Sequence, residues 1–474
     1  MKTGPRPTPP APVTYGVVPP RPPMTAAPPV DVRPYRFESH PFELLTAFMR
    51  ELKGGVARLD AVGGDLVVAR ARPLPPVVLV RHPDLIREVL VDRNDDVTKA
   101  RGLRLAQTIL GHGLLTSEPP RHTRQRRLVL PAFHRGRLEG YGRTMVALAR
   151  AEADRWTGSP PFDAAEAMNR LALAIAGETL FGADVLSDAG RVSGAVRDAM
   201  GAFDGAQYPL ADRLTWLPTR ANRASKRARA TLDRLVYGMI AERRRDPAAA
   251  HADLLGMLLD ARDDEGGAMT DEEVRDEVMT LLLAGHETTA VALAWTWALL
   301  AQHPDAEARL WAEVDALGAP PSFDDLGRLT YTRQVFAESM RLYPPAWTVG
   351  REAARDTALG GHALPRGTTI LFAPLHLHRD RRFWDDPEAF RPERFASDAR
   401  AGRHKFAYLP FSAGRRGCIG EQFAWAEGTL VLATIAQRWR LRLAGPVPEP
   451  HGSVTLRLAG PLAMTAEARR GGSG

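Results

Sequence analysis

Apolar positions recur at helical spacing over 84–92, 119–130, 141–156, 163–181, 222–244, 271–302, 327–342 and 421–440, which predicts a helix in each. Two earlier stretches, "VARLDAVGGDLVVARA" (56–71) and "PPVVLVRHP" (75–83), read as short strands broken by Gly and Pro turns. A second strand-rich region is expected over 346–373. The pattern is mainly helical with small peripheral sheets, an α+β arrangement. It is neither an alternating βα chain nor a bundle of equal helices.

The longest helical stretch holds polar residues at its centre. Thr270-Asp271-Glu272-Glu273 is a capping-box pattern that starts it, and His303-Pro304 ends it. The predicted helix is about 48 Å long at 1.5 Å per residue. Its middle, "VMTLLLAGHETTAVALAWTWALLA", is apolar enough to raise the question of a membrane span. Against that stand His286, Glu287, Thr288 and Thr289, because an ionisable group at mid-bilayer costs several kcal/mol. A helix through the core of a large protein is the expectation. Gly285 costs about 1 kcal/mol relative to alanine, so it leaves room beside the helix for something large. Glu287 and Thr288 set a carboxylate and a hydroxyl about 100° apart around the axis beside that gap. Two readings stay open at this point: a polar cluster satisfied by its neighbours, or a small-molecule site with a proton-delivery pair.

Composition narrows the class. Length alone, 474 residues, suggests two or three domains, and 44% hydrophobic with 25% charged residues is ordinary for a globular protein. One cysteine excludes an internal disulfide framework and a cysteine-rich zinc site, and it fits a reducing cytosol. The net charge of +7 is carried by arginine, since only five of the 63 basic residues are lysine. Such a balance suits nucleic acid, a membrane surface or an acidic partner. No helix-turn-helix, zinc-finger or aromatic stacking signature is present, which argues against nucleic acid. Residues 1–39 hold twelve prolines and are expected to be a flexible lead-in without signal peptide or anchor; 466–474 are expected to be a flexible tail.

The single cysteine, Cys418, sits in "FSAGRRGCIG" (411–420). Its glycines permit positive φ and let the chain approach a flat ligand closely. A helix beginning near 420 aims free N–H groups at the sulfur, and Arg415 and Arg416 add positive charge. These features predict an ionised sulfur, such as an iron ligand.

This loop resembles the haem-binding loop of the cytochrome P-450 family, Phe-x-x-Gly-x-Arg-x-Cys-x-Gly, at every fixed position. "AGHETT" (284–289) resembles that family's oxygen-activating motif, and "ESMR" (338–341) its Glu-x-x-Arg. "RPERF" (391–395) and "HTRQR" (122–126) are similar to two further motifs, in the right order. The resemblance covers about 40–465 and implies one haem domain there, with haem b between the long central helix and the cysteine loop. It implies Cys418 as the iron ligand, with Phe411, Gly414 and Gly420 shaping the loop. Arg416, His122, Arg126 and Arg351 would pair with the propionates. Thr288 and Glu287 would be catalytic, with Ala284 and Gly285 giving the pocket its room. Glu338, Arg341 and Arg394 would form a structural ion-pair network. By position, the pocket would include Leu103, Ile109, Phe203, Leu282, Ala346, Trp347 and Val349, an apolar set suited to a lipophilic substrate.

The activity so implied is insertion of one oxygen atom from O2, by hydroxylation or epoxidation, into a terpenoid, carotenoid, fatty acid or polyketide. Electrons would come from a separate ferredoxin or flavodoxin with its reductase, with an acidic ferredoxin docked at Arg403, His404, Lys405 and Arg415. A soluble, bacterial, cytoplasmic monomer is expected. The alternatives are a peroxide-driven or isomerising haem-thiolate enzyme and a haem-binding sensor without turnover.

Overall fold

A computed structural model of the chain describes residues 30–37, 43, 47, 52–70, 75–158, 160–182, 194, 219–245 and 253–469. Eight helices build the body: α1 (Arg121–Val129), α2 (Arg135–Asp154), α3 (Ala164–Phe181), α4 (Arg220–Arg245), α5 (Asp271–Gln302), α6 (Pro304–Asp315), α7 (Thr330–Leu342) and α8 (Glu421–Arg438). α5 runs through the middle. Its capping box forms as the sequence predicts: Glu273 N donates to Thr270 Oγ1 at 3.2 Å and Thr270 N to Glu273 Oε2 at 3.1 Å. α5 is long and apolar enough to cross a membrane, yet 83% of its most apolar window is buried inside the protein. It is a core helix. α3 lies along it because Ala164, Ala167, Ala172, Ala176 and Gly177 keep the α3 surface low and buried. Asp163 caps α3 by accepting from Ala165 N at 3.0 Å, and Gly182 ends it at φ 57°.

A six-stranded sheet flanks this body. Its strands are β1 (Val32–Pro34), β2 (Leu66–Ala69), β3 (Val77–Val80), β4 (Val97–Lys99), β5 (Val349–Ala353) and β6 (Thr369–Phe372), in the order β1-β2-β3-β6-β5-β4. The strand period of two divides its core. Leu66, Val68, Val78 and Val80 pack into one hydrophobic cluster, while Val67, Ala69 and Leu79 pack into another on the opposite face. A smaller sheet joins Phe162–Asp163, Trp439–Leu443 and Ala463–Ala468, and a hairpin joins Pro450–Gly452 to Leu456–Leu458.

Several expectations need correction. The first half of the stretch expected as strand at 56–71 belongs to the helix Leu52–Asp60, where Val56 and Leu59 are buried at helical spacing. Residues 304–315 form a helix that hydrophobic periodicity did not mark, because Pro304 stops α5 and also starts α6. The lead-in boundary at 39 and the tail boundary at 465 both shift. Val32–Pro34 pairs with Leu66–Val68, and Ala463–Ala468 pairs with Trp439–Leu443. Backbone pairing holds both, and side-chain patterning does not report it.

Candidate active site

Residues 411–420 form a tight loop ahead of α8. Cys418 N donates to Phe411 O and Gly417 N to Gly414 O, both at 3.0 Å. Gly414 has φ +74°, and a Cβ there would lie 2.1 Å from the Leu90 carbonyl oxygen, so both torsion and space demand glycine. Gly414→Ala is expected to lower the stability of the loaded protein by about 1–3 kcal/mol, read as a lower denaturation midpoint. Gly420 is different: its φ is −89° and a Cβ would meet Phe133 at an ordinary 3.6 Å. The Phe411 ring lies 5.5 Å from that of Trp425, which anchors the loop start to α8.

Both arginines beside the cysteine have acid partners. Arg415 pairs with Asp95 at 2.8 Å on the surface, and Arg416 turns to Glu118. Burial pushes the Cys418 thiol up to about 11; the Gly420 N–H opposes this, Glu421 reinforces it and Arg126 opposes it weakly. Desolvation therefore outweighs the helix terminus, and a bound metal cation is what would ionise this sulfur. The Cys418 residue is nonetheless solvent-accessible. Both facts hold together when the sulfur faces an open space walled by protein.

α5 shows a matching opening. Between Val274 and Leu300 every residue is buried except Ala284, Gly285 and Thr288. Those three share one helical face. A Cβ on Gly285 would meet nothing within 4 Å. Thr288 donates its hydroxyl to the Ala284 carbonyl at 2.7 Å. Glu287 diverges from the opening: it is buried and accepts from Thr455 Oγ1 at 2.7 Å. The carboxylate and hydroxyl, expected about 100° apart beside one gap, have different partners: Thr455 for Glu287 and the Ala284 carbonyl for Thr288.

A buried basic cluster adjoins the cysteine loop. Arg126, on α1, donates to Gly417 O at 2.9 Å. His122 lies one turn earlier on α1, Arg351 lies on β5, and Arg416 lies in the loop. Lys99, at the end of β4, joins them and was missed by sequence reasoning; its Nζ donates to the carbonyls of Leu114 and Ser117 at 2.8 and 2.7 Å. A lysine at this place in an arginine-rich chain is the only signal that could have marked it. Burial, with the charges of Arg416 and Arg351 and against Glu118, pushes Lys99 down to about 7. Burial, then Lys99, Arg416 and Arg126, push His122 down to about 4. Burial and Arg416 push Arg351 down to about 10. Arg416 Nε and Nη1 and Arg351 Nε are buried without a hydrogen-bond partner among the described residues. Buried donors of one sign, only partly balanced by the carboxylate of Glu118, fit a group carrying two negative charges. The other α1 arginines are spent on acids: Arg124 reaches Asp263 at 2.7 Å.

The scaffold network is fully buried. Arg341 Nε and Nη2 grip Glu338 at 2.7 and 2.8 Å, and Nη1 caps the carbonyls of His378 and Pro387 at 2.9 and 2.6 Å. Arg394 Nε reaches Glu338 Oε1 at 3.3 Å. His378 was not foreseen. Burial pushes it down to about 3, so it is neutral; its Nε2 accepts from Leu409 N at 2.9 Å and its Nδ1–H faces Arg341 O. It ties the network to the chain two residues before Phe411.

The expected pocket residues separate. Leu103, Ala346 and Val349 are half-buried. Ile109 and Leu282 sit inside the main core, because the face of α5 that opens is that of Gly285 and Thr288. Trp347 is a correction: it is fully buried in the cluster with Val56 and Leu79, and its indole N–H donates to Ser453 O at 2.8 Å. Phe203 lies outside the described residues. The expected docking patch is also largely spent. Arg403 stacks 4.2 Å over Trp384 and donates to Arg394 O, His404 meets Asp84 at 3.1 Å, and Lys405 alone is exposed without an ion pair among the described residues.

Comparisons with known proteins agree with this geometry. The family model for cytochrome P-450 matches residues 64–462. The chain is 41% identical to cyclooctatin synthase of Streptomyces melanosporofaciens, over 86% of this chain and 89% of that protein. It is 39% identical to cyclooctat-9-en-7-ol 5-monooxygenase of the same organism, over 86% and 89%. Pentalenene oxygenase of Streptomyces avermitilis is 39% identical, over 80% and 84%. That family carries haem iron, uses O2 with electrons from redox partners, and acts on lipophilic substrates. The chain belongs to the cytochrome P-450 family, and it is a haem-thiolate monooxygenase.

Proposed function

We propose that the chain hydroxylates or epoxidises a terpenoid, with haem b held by Cys418 and electrons supplied by a ferredoxin or flavodoxin and its reductase. The observation that carries the reading is the buried basic cluster beside the lone cysteine. Arg416 and Arg351 hold unpaired donors where haem propionates need partners, and His122 and Lys99 complete the ring. The terpenoid class is supported by the substrates named in two relatives, pentalenene and cyclooctat-9-en-7-ol.

When bound, haem supplies the O2 activation and the oxygen transfer. The chain's own residues do the rest. Cys418 would hold the haem iron through its sulfur. Gly285 and Ala284 keep the helix surface low, so substrate and O2 reach the same space. Thr288, bonded to the Ala284 carbonyl, keeps its hydroxyl oxygen directed along the opening and can hold a water there. Glu287 holds a proton-accepting carboxylate one residue away.

Thr288→Ala tests this. The variant is expected to keep its haem and its reduced carbon-monoxide spectrum, while product formed per NADPH falls about tenfold to a hundredfold and hydrogen peroxide rises in its place. Unchanged product yield would remove Thr288 from the reaction. Turnover with peroxide alone, and none with a reductase, would select the peroxide-driven alternative instead.

A further inference from the structure

The excess positive charge of the chain is not spread over its surface. α4 (Arg220–Arg245) holds nine basic residues against two acidic ones, a net +7, and the whole chain also carries a net +7. The rest of the chain is therefore neutral overall. The excess belongs to one helix, and arginine-rich composition alone does not account for it.

α4 is sharply two-sided. Ala228, Leu232, Val236 and Ile240 are buried in the main core, where the helix packs on α5. At 3.6 residues per turn, Arg223, Lys226, Arg227, Arg234, Tyr237 and Arg245 fall within about 100° of arc on the opposite face. All six are exposed, and so are Ala230 and Ala241, which lie between them and keep the stripe low. The stripe is about 33 Å long at 1.5 Å per residue. Three of the other α4 arginines are engaged: Arg229 with Asp233, Arg243 with Asp253 and Arg244 with Asp271. Asp233 is also gripped by Arg275 Nε at 2.7 Å, and Glu242 lies outside the arc. None of the five basic residues of the stripe has an ion pair among the described residues. Like charges one turn apart, as at Arg223 and Arg227, weaken a helix. The row is a cost to the fold that an anionic surface outside it would offset.

We infer that the outer face of α4 docks the protein on an anionic lipid bilayer, its arginines and lysine meeting the headgroup phosphates. Three features favour a bilayer over an acidic protein or a nucleic acid. The row is straight and low, so it matches a plane. Tyr237 stands within it, 41% exposed, with the apolar ring and polar tip that suit a membrane–water interface. α4 also adjoins the segment expected to wall the pocket: Arg229 Nη1 donates to Thr108 O at 2.7 Å, and Arg275 Nη2 donates to Ile109 O at 2.9 Å. Docking by this face would set that wall near the phase in which a lipophilic substrate collects. The inference goes beyond the monooxygenase reading, and its test needs no turnover.

The test is flotation of the haem-loaded protein with vesicles of phosphatidylcholine, with and without phosphatidylglycerol. The wild type is expected to float with the anionic vesicles alone and to be released as salt rises. Each basic residue near an anionic leaflet is worth about fivefold in partition, so Arg223→Gln, Arg227→Gln and Arg234→Gln together should weaken binding about a hundredfold. The control is Arg135→Gln, Arg143→Gln and Arg150→Gln, three exposed arginines of α2, which removes the same net charge from another helix. It should stay within about threefold of the wild type, because charges held away from the membrane are screened. Both triple variants change exposed side chains only, and an unchanged denaturation midpoint and reduced carbon-monoxide spectrum would show that each is folded. Failure of the wild type to float, equal binding to neutral vesicles, or equal losses in the two variants overturns the docking face. Retention on heparin without vesicle binding overturns it too, and assigns the stripe to a protein or nucleic-acid polyanion. A missing thiolate band in the wild type would strike the monooxygenase reading and leave the flotation result standing.

Discussion

Cys418→Ser is expected to leave a folded protein with no measurable monooxygenase turnover. The loop is held by backbone contacts, Cys418 N to Phe411 O and Gly417 N to Gly414 O, and neither involves the sulfur. Serine should therefore preserve the loop. What it removes is the soft, polarizable donor that a haem-thiolate reaction depends on. A hydroxyl is a poor substitute, because an alkoxide in this buried position is far harder to form than a thiolate whose own pKa is already pushed up to about 11. Loss of roughly a thousandfold in rate corresponds to about 4 kcal/mol of transition-state stabilisation, and a fall at least that large is expected. The measurement is product formation with a surrogate redox chain, beside the reduced carbon-monoxide spectrum. A variant that kept both the rate and the thiolate band would remove Cys418 from the iron.

Glu338→Ala should cost the most stability. Arg341 is fully buried and Arg394 nearly so, and both direct donors at the Glu338 carboxylate. Removing that carboxylate leaves two guanidinium groups in the core with one acid fewer between them. Breaking a buried pair in this way costs about 3–5 kcal/mol, a large share of the roughly 5–15 kcal/mol that holds a protein folded. The denaturation midpoint of the loaded protein should fall accordingly. The loss should also reach the haem, because His378 links Arg341 to Leu409 just ahead of the cysteine loop. The double variant Glu338→Leu with Arg341→Leu is expected to recover part of the midpoint, since an apolar pair removes the unmet charge. No recovery would show that the Arg341 bonds to the carbonyls of His378 and Pro387 matter more than the ion pair.

The long helix was legible almost to the residue, because its capping box and its proline stop are local signals and both form as written. The cysteine loop, the helix motif and the ion-pair residues were equally legible, since each is a short run with fixed spacing. What the sequence hid is where side chains point across distant segments. Glu287 and Thr288 adjoin in sequence yet take different partners, because Thr455, 168 positions on, holds the carboxylate. Lys99 joins the basic cluster through a strand far from the cysteine, and Trp347 is turned into the sheet core by Ser453. The charges around the sulfur were hidden for a related reason. Charges adjacent in sequence were credited to the sulfur, whereas Arg415 and Arg416 have acids of their own at Asp95 and Glu118.

The basic cluster has a consequence for how the protein comes to exist at all. Lys99, His122, Arg126, Arg351 and Arg416 crowd together beside Glu118, and burial first, then their like charges, disfavour the charged forms of Lys99, His122 and Arg351, which weakens the folded chain until something anionic arrives. A group that binds the folded chain alone stabilises it by RT ln(1 + [L]/Kd), about 2.7 kcal/mol at a hundredfold excess over Kd. Haem is then a folding ligand as well as a cofactor. The haem-free chain should therefore denature at a lower midpoint than the loaded protein.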